Sequence, residues 1–304
     1  MKQTFKTYRA VAAMLAAILL LSVGLTALNG GLDLSKQKDD RHAVLATTYP
    51  VYVAAQHIIG DNTPIRLTRL DGAASGCLHD YQLSPSDRRG VQEAEIILMN
   101  GAGAESFLHG IVEEEKCVDT SAGIDLLCAD HDHDHAEGDH HHHEEEYNEH
   151  LWLSPTRYGL QVAAVRDALC ELDSGCADTY RANAAAYLAQ IGAVEQELAA
   201  LKESFSGRPC VLFHDSMAYL AADLGLEVKL TLSVEGESGL SASDLKQVEA
   251  LAATNPDLLL LYDTQYALRY EGVAGTPVTI CTAVQEDWLT AMKKNVETLK
   301  KVVG

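Results

Sequence analysis

Short apolar runs and stretches of helical spacing alternate along most of this chain. Residues 42–48 (HAVLATT) read as a buried strand, and residues 50–59 as a helix stopped by Gly60-Asp61-Asn62. A second strand is expected at 65–70. Ser84-Pro85-Ser86-Asp87 offers a polar cap and a proline suited to a first helical turn, predicting a short helix to Ala94. Residues 95–99 (EIILM) predict a third strand, 105–112 a helix, and 117–119 a fourth strand. Strand and helix in alternation argue for a parallel sheet with helical crossovers.

The middle of the chain has another character. From residue 177 to 205 apolar residues fall at helical spacing, with gaps of three and four (Tyr180, Ala184, Tyr187, Leu188, Ile191, Val194, Leu198, Leu201, Phe205), interrupted by nothing worse than Gly192. At 1.5 Å per residue such a helix reaches about 40 Å, enough to cross a small domain. Ser206-Gly207-Arg208-Pro209 ends it. A second strand–helix series follows: strands at 210–213, 226–232, 257–262 and 278–281, and helices at 216–224, from Ser241-Ala242-Ser243-Asp244 to Thr254, and at 287–302. The fold class is therefore α/β: two lobes, each a parallel sheet with flanking helices, joined by one long rigid helix. The expected division is a leader and tether at 1–41, an N-terminal lobe at 42–176, the linking helix at 177–206 and a C-terminal lobe at 207–304. The halves share a class but no sequence repeat.

Composition narrows the partners. Of 304 residues, 44 are acidic and 23 are Lys or Arg, a formal charge of −21, so phosphate backbones are poor ligands and cations good ones. Lys2, Lys6 and Arg9 precede an apolar run over residues 11–28, the pattern of an export signal. The run is long enough to anchor, while Leu25-Thr26-Ala27 offers a cleavage site, so both fates stay open. No cysteine follows it, which does not support a bacterial lipoprotein. The remainder is expected outside the cytoplasm. There an odd set of seven cysteines could partly oxidise, with Cys170 and Cys176 six apart across a turn that a disulfide could close. No C-x-x-C spacing points to a thiolate zinc site.

Residues 130–146 (DHDHDHAEGDHHHHEEE) hold seven of the thirteen histidines (His131, His133, His135, His140, His141, His142 and His143) and eight acidic residues. Such a segment cannot bury an apolar core and is expected to be a solvated loop. Imidazole suits zinc, copper and nickel, and carboxylates attract any divalent ion, so the loop reads as a weak, multi-site cation collector. The plain alternative is an acidic loop that happens to be rich in histidine.

Three further histidines fall at strand ends or on loops: His79 (CLHDYQ), His150 (NEHLWL) and His214 (LFHDSM). Parallel sheets place ligands beyond the carboxyl ends of their strands. Three neutral imidazoles can make most of a tetrahedral zinc site with bonds of ~2.0–2.1 Å. Asp80 and Asp215, each beside a histidine, could orient the rings. Three histidines and a water are also a hydrolytic arrangement, but no H-E-x-x-H and no second acid at a telling offset accompany them. Taken one at a time, each is better explained as a surface or hydrogen-bonded histidine, and spacing does not show that they converge.

The chain resembles the zinc-binding (ZnuA-type) substrate-binding proteins of bacterial metal ABC importers, the cluster A-I family. The likeness runs from about Ala43 to the C-terminus through TTYPVYVAAQHIIGD, HDYQLSPSD, AEIILMNGAGAESFL, NEHLWLSP and FHDSMAYLAADLGLEV, in matching order. The resemblance implies two α/β lobes on a rigid helix, metal ligation by His79, His150 and His214, and a His-rich acidic loop before the second of these. Glu149 stands where the family usually has Pro, and Ser154 where it has Asp. Thr282 stands where many relatives carry a fourth, acidic ligand. The fourth position is thus open to water, Asp263 or a loop histidine. Three imidazoles favour Zn2+; Mn2+ would be expected to bring in more carboxylate. The expected role is non-enzymatic: a monomer that captures zinc and delivers it to an ABC permease, binding no nucleic acid. A manganese or iron carrier and a surface adhesin with a structural metal are the alternatives, with a zinc hydrolase behind them.

Overall fold

The computed structural model describes residues 14–21, 39–61, 63–71, 81–129, 147–232, 240–264 and 272–304. The chain divides into residues 1–41 and 42–304. In the first unit, residues 14–21 are helical (α1) and exposed, and Arg41 grips Asp39 through Nε and Nη2 at 2.8 Å. Among the described residues no helix is long and apolar enough to cross a membrane. Most of the apolar run over 11–28 lies outside them.

The second unit opens with β1 (His42–Ala46), α2 (Tyr49–Ile59), β2 (Ile65–Arg69), α3 (Pro85–Glu93), β3 (Ile96–Met99) and β4 (Cys117–Asp119). These strands form a parallel sheet in the order β2-β1-β3-β4. Then come α4 (Pro155–Leu172) and α5 (Ala177–Phe205), and a second series of β5 (Pro209–Leu212), α6 (Ala218–Leu224), β6 (Glu227–Thr231), α7 (Ala242–Thr254), β7 (Leu259–Asp263), β8 (Thr276–Ile280) and α8 (Trp288–Val303). The second sheet is also parallel, in the order β6-β5-β7-β8. Each sheet reverses its winding between its two central strands, β1/β3 and β5/β7. The crevice beyond that reversal is where open α/β sheets bind ligands.

The central strands are short apolar runs because helices cover both their faces: every residue of β5 is buried, as are Leu259 to Tyr262 of β7. The 29-residue α5 is bounded by a short turn over Ser174–Cys176 and by Ser206 and the left-handed Gly207. It buries Tyr180, Ala184, Tyr187, Ile191, Val194, Leu198 and Phe205. One continuous apolar cluster joins β1, α2, α4, α5, β5, β7 and α8, so the two sheets share a core through α5. Burying each large apolar side chain contributes about 1.5–3 kcal/mol.

Three features depart from the sequence expectations. The 18-residue α4 was not foreseen, although Tyr158, Val162, Val165 and Leu169 line its buried face at helical spacing and Ser154 caps it by accepting from the Arg157 N–H at 3.4 Å. Gly159 faces Leu188 of α5, where an added Cβ would lie 3.7 Å away. The expected helix over 105–112 is only a 3-10 turn at Ser106–Leu108. Gly101, Gly103 and Gly110 all take left-handed φ, and the buried Glu105 carboxylate is spent on backbone N–H groups, which breaks helical continuity. Cys170 and Cys176 are both free thiols; Cys170 Sγ instead donates to the Ala177 carbonyl at 3.6 Å.

Candidate metal centre

His150 sits on a rigid support. It precedes a 3-10 turn, Leu151–Leu153, whose three side chains are fully buried. Trp152 Nε1 donates to the Thr282 carbonyl at 2.8 Å, and Trp288 Nε1 donates to the Trp152 carbonyl at 2.8 Å. The Trp288 ring stacks on Tyr158 of α4 at 4.4 Å. These contacts lock the turn between the long-helix layer and the second lobe, and they leave His150 only 3% exposed.

His214 comes from the other side. The Phe213 N–H donates to the Leu261 carbonyl at 2.9 Å, extending the β5–β7 ladder one residue past β5. His214 therefore leaves the carboxyl end of β5 at the winding reversal of its sheet. Asp215 starts the turn Asp215–Met217 that leads into α6.

The two rings lie 5.4 Å apart, centroid to centroid, with planes at 90°. Two imidazoles on one tetrahedral ion with bonds of ~2.0–2.1 Å would have centroids roughly 5 Å apart. His150, His214 and Asp215 form the one group among the described residues in which three potential metal-ligand atoms lie within 4.8 Å of one another. Asp215 Oδ1 is 3.0 Å from His214 Nδ1 and 3.7 Å from His150 Nδ1. His214 Nδ1 also lies 3.1 Å from the Ser216 N–H, so this nitrogen sits between a donor and an acceptor, and its proton follows whichever it serves.

Of the other expected site residues, His79 and its neighbour Asp80 lie outside the described residues, as do His131, His133, His135, His140, His141, His142 and His143. Asp263 ends β7, in the strand beside His214. It is not part of the three-donor group; its Oδ2 accepts from Thr282 Oγ1 at 2.6 Å. Asp215, read from sequence only as an orienting neighbour, is the carboxylate that reaches both rings.

Two residues that sequence reasoning did not single out support the site. Asn148 joins the His150 segment to the second lobe: its Nδ2 donates to the Asp215 carbonyl at 2.9 Å, and its own carbonyl accepts from Tyr219 Oη at 2.7 Å. Glu105 holds the loop after β3, accepting from Thr47 Oγ1 (2.6 Å) and from the Asn100 (2.8 Å) and Gly101 (3.1 Å) N–H groups. Asn100 Nδ2 passes this order on to the Glu149 carbonyl at 2.9 Å.

Burial raises the Glu105 carboxyl from 4.5 to about 7, against the pull of its hydrogen bonds and with a further push from Glu149. The folded state thus binds this proton more tightly than the unfolded chain. The stabilising contribution is full below about pH 4.5 and lost as pH rises through 7, a change of order 3 kcal/mol. Urea unfolding of wild type and Glu105→Gln across pH 4 to about 8 checks this: the stability of wild type relative to the variant should fall over that window. A constant difference would contradict the assignment.

The family model described as "Zinc-uptake complex component A periplasmic" (ZnuA) matches residues 44–302. The zinc-binding lipoprotein AdcA of Streptococcus pneumoniae is 25% identical over 88% of this chain and 56% of its own length. The iron-binding protein YfeA of Yersinia pestis is 30% identical over 68% of this chain and 63% of its own. The chain thus spans little more than half of AdcA and under two thirds of YfeA. A crystal structure of ZnuA superposes with a TM-score of 0.69 at 25% identity, over 87% of this chain and all of that one.

Proposed function

This chain belongs to the zinc-uptake complex component A (ZnuA) family of metal-binding components of ABC importers, and on that premise we propose that it captures Zn2+ outside the cytoplasm and delivers it to a membrane permease. The observation that carries the reading is the meeting of His150 and His214, 5.4 Å apart, at the winding reversal of the second sheet. His79 completes a set of three imidazoles, each contributing one neutral nitrogen. Asp215, 3.0 Å from His214 Nδ1, takes the hydrogen of that ring and turns its Nε2 toward the ion, as carboxylates behind zinc-bound histidines do. Water takes the fourth position, because Asp263 is committed to Thr282.

A nitrogen-rich set favours zinc over manganese. The iron-binding relative makes the identity of the ion the point to test. The histidines of 130–146 act as the collector, concentrating the ion beside the tight site by weak, exchanging contacts.

The experiment is a competition titration with Zn2+, Mn2+ and Fe2+, on the whole chain and on a chain lacking residues 130–146. Zinc should displace the others, and the excision should lower the stoichiometry while leaving one tight site. Preference for Mn2+ or Fe2+ would reassign the cargo; loss of the tight site on excision would make a loop histidine a primary ligand.

A further inference from the structure

We propose that Asn148 is a positioning residue that fixes which nitrogen of His150 faces the metal, a refinement that rests on the zinc-carrier reading. Every polar group of Asn148 is engaged, and the residue is buried. Its N–H donates to the Leu127 carbonyl at 2.8 Å, and its carbonyl accepts from Tyr219 Oη at 2.7 Å. Its Nδ2 donates to the Asp215 carbonyl at 2.9 Å, and its Oδ1 accepts the His150 N–H at 2.9 Å.

These last two bonds settle the orientation of the amide. A carbonyl can only accept and a backbone N–H can only donate, so exchanging the amide oxygen and nitrogen would set oxygen against oxygen and donor against donor. The atom 3.1 Å from His150 Nδ1 is therefore the amide oxygen, which only accepts. Nδ1 must carry the hydrogen, and the lone pair of the neutral ring is left on Nε2. The partner of one ring nitrogen sets the role of the other.

The same amide sets the distance between the rings. Asn148 belongs to the segment that carries His150, whereas Asp215 and Tyr219 follow His214 in the second lobe. Two hydrogen bonds across the lobes thus fix the His150 backbone against the His214 turn. Tyr219 extends the arrangement, since its Oη also accepts from the Leu127 N–H at 3.1 Å. Leu127 and Asn148 stand on either side of residues 128–147, where Cys128 and Tyr147 form an antiparallel bridge. One tyrosine hydroxyl of α6 therefore bonds both Leu127 and Asn148, the residues flanking the stretch that contains the His-rich segment.

Long-range 1H–15N NMR of histidine-labelled, metal-free protein at about pH 8, where imidazoles are neutral, reads the tautomer directly. Zinc titration of the same samples reads the consequence. Wild type should show His150 protonated at Nδ1. Asn148→Ala should move the proton toward Nε2 and weaken zinc binding about 10–100-fold. Asn148→Asp keeps an acceptor against His150 and should keep the Nδ1 proton, while its oxygen facing the Asp215 carbonyl loses the cross-lobe bond, so the tautomer should be retained even where affinity is not. An Nε2-protonated His150 in wild type would overturn the proposal, as would an unchanged tautomer in Asn148→Ala, even if affinity fell. If wild type failed to bind zinc, the carrier reading would fall, while the metal-free spectra would still decide the role of Asn148.

Discussion

Replacing His150 with Ala should lower zinc affinity by more than about 100-fold, beyond what the loss of a supporting group behind a metal ligand costs. Of the three imidazoles in the proposed set, His150 is the most enclosed of those described, at 3% exposure. The segment that follows it offers no substitute ligand, because Leu151, Trp152 and Leu153 are apolar and buried. Isothermal titration with a chelator competitor measures the change, and an unchanged melting temperature without metal shows that the fold persists. Any single loop histidine changed to Ala should matter far less, since six others remain. Wild-type affinity in His150→Ala would remove the carrier reading.

The second large effect is on stability. Trp152→Ala should cost about 5 kcal/mol. Truncating a fully buried Trp costs about 3–5 kcal/mol through lost contacts and the cavity left behind. The Thr282 carbonyl also loses its indole donor, and an unsatisfied buried group adds about 1–3 kcal/mol. Trp152→Phe separates the two parts, because it retains most of the ring and forfeits the N–H. Its cost should fall near the smaller figure. Denaturant unfolding gives both values. Trp152→Ala should also weaken zinc binding, since its ring centroid lies 5.2 Å from that of His150. A cost below about 2 kcal/mol would mean that the turn is supported from elsewhere.

How far the sequence disclosed this molecule depended on whether the deciding contacts were local. The bounds of α5 could be read from its flanking turns, because caps and breakers act within a few residues. Its neighbour α4 went unread although Ser154-Pro155 and the Tyr158, Val162, Val165, Leu169 spacing mark it; Gly159 and the mixed polar residues between blur its period. The strands were legible as short apolar runs, but nothing in them states that both sheets adopt the same order. At the metal centre, His150 and His214 could be named from their motifs. Their meeting could not, because 64 positions and a whole sheet separate them. Asn148 escaped notice for the same reason: Asp215 and Tyr219 lie 67 and 71 positions away. Glu105 was taken for part of a helix, and only its burial against Thr47, 58 positions back, reveals its work.

The apolar cluster that runs unbroken from β1 through α5 to α8 bears on how such a chain can be cut and recombined. Each half keeps a smaller apolar cluster of its own, around Leu45 and Ile97 in the first and around Phe213 and Leu260 in the second, but the largest one is shared. A fragment ending after Phe205 would expose the greasy side of its longest helix, and one beginning at Pro209 would leave Trp288 and Met292 without the surface they press against. Grafts between relatives should therefore carry α5 and α8 together, and exchange of the halves as independent modules would yield insoluble hybrids.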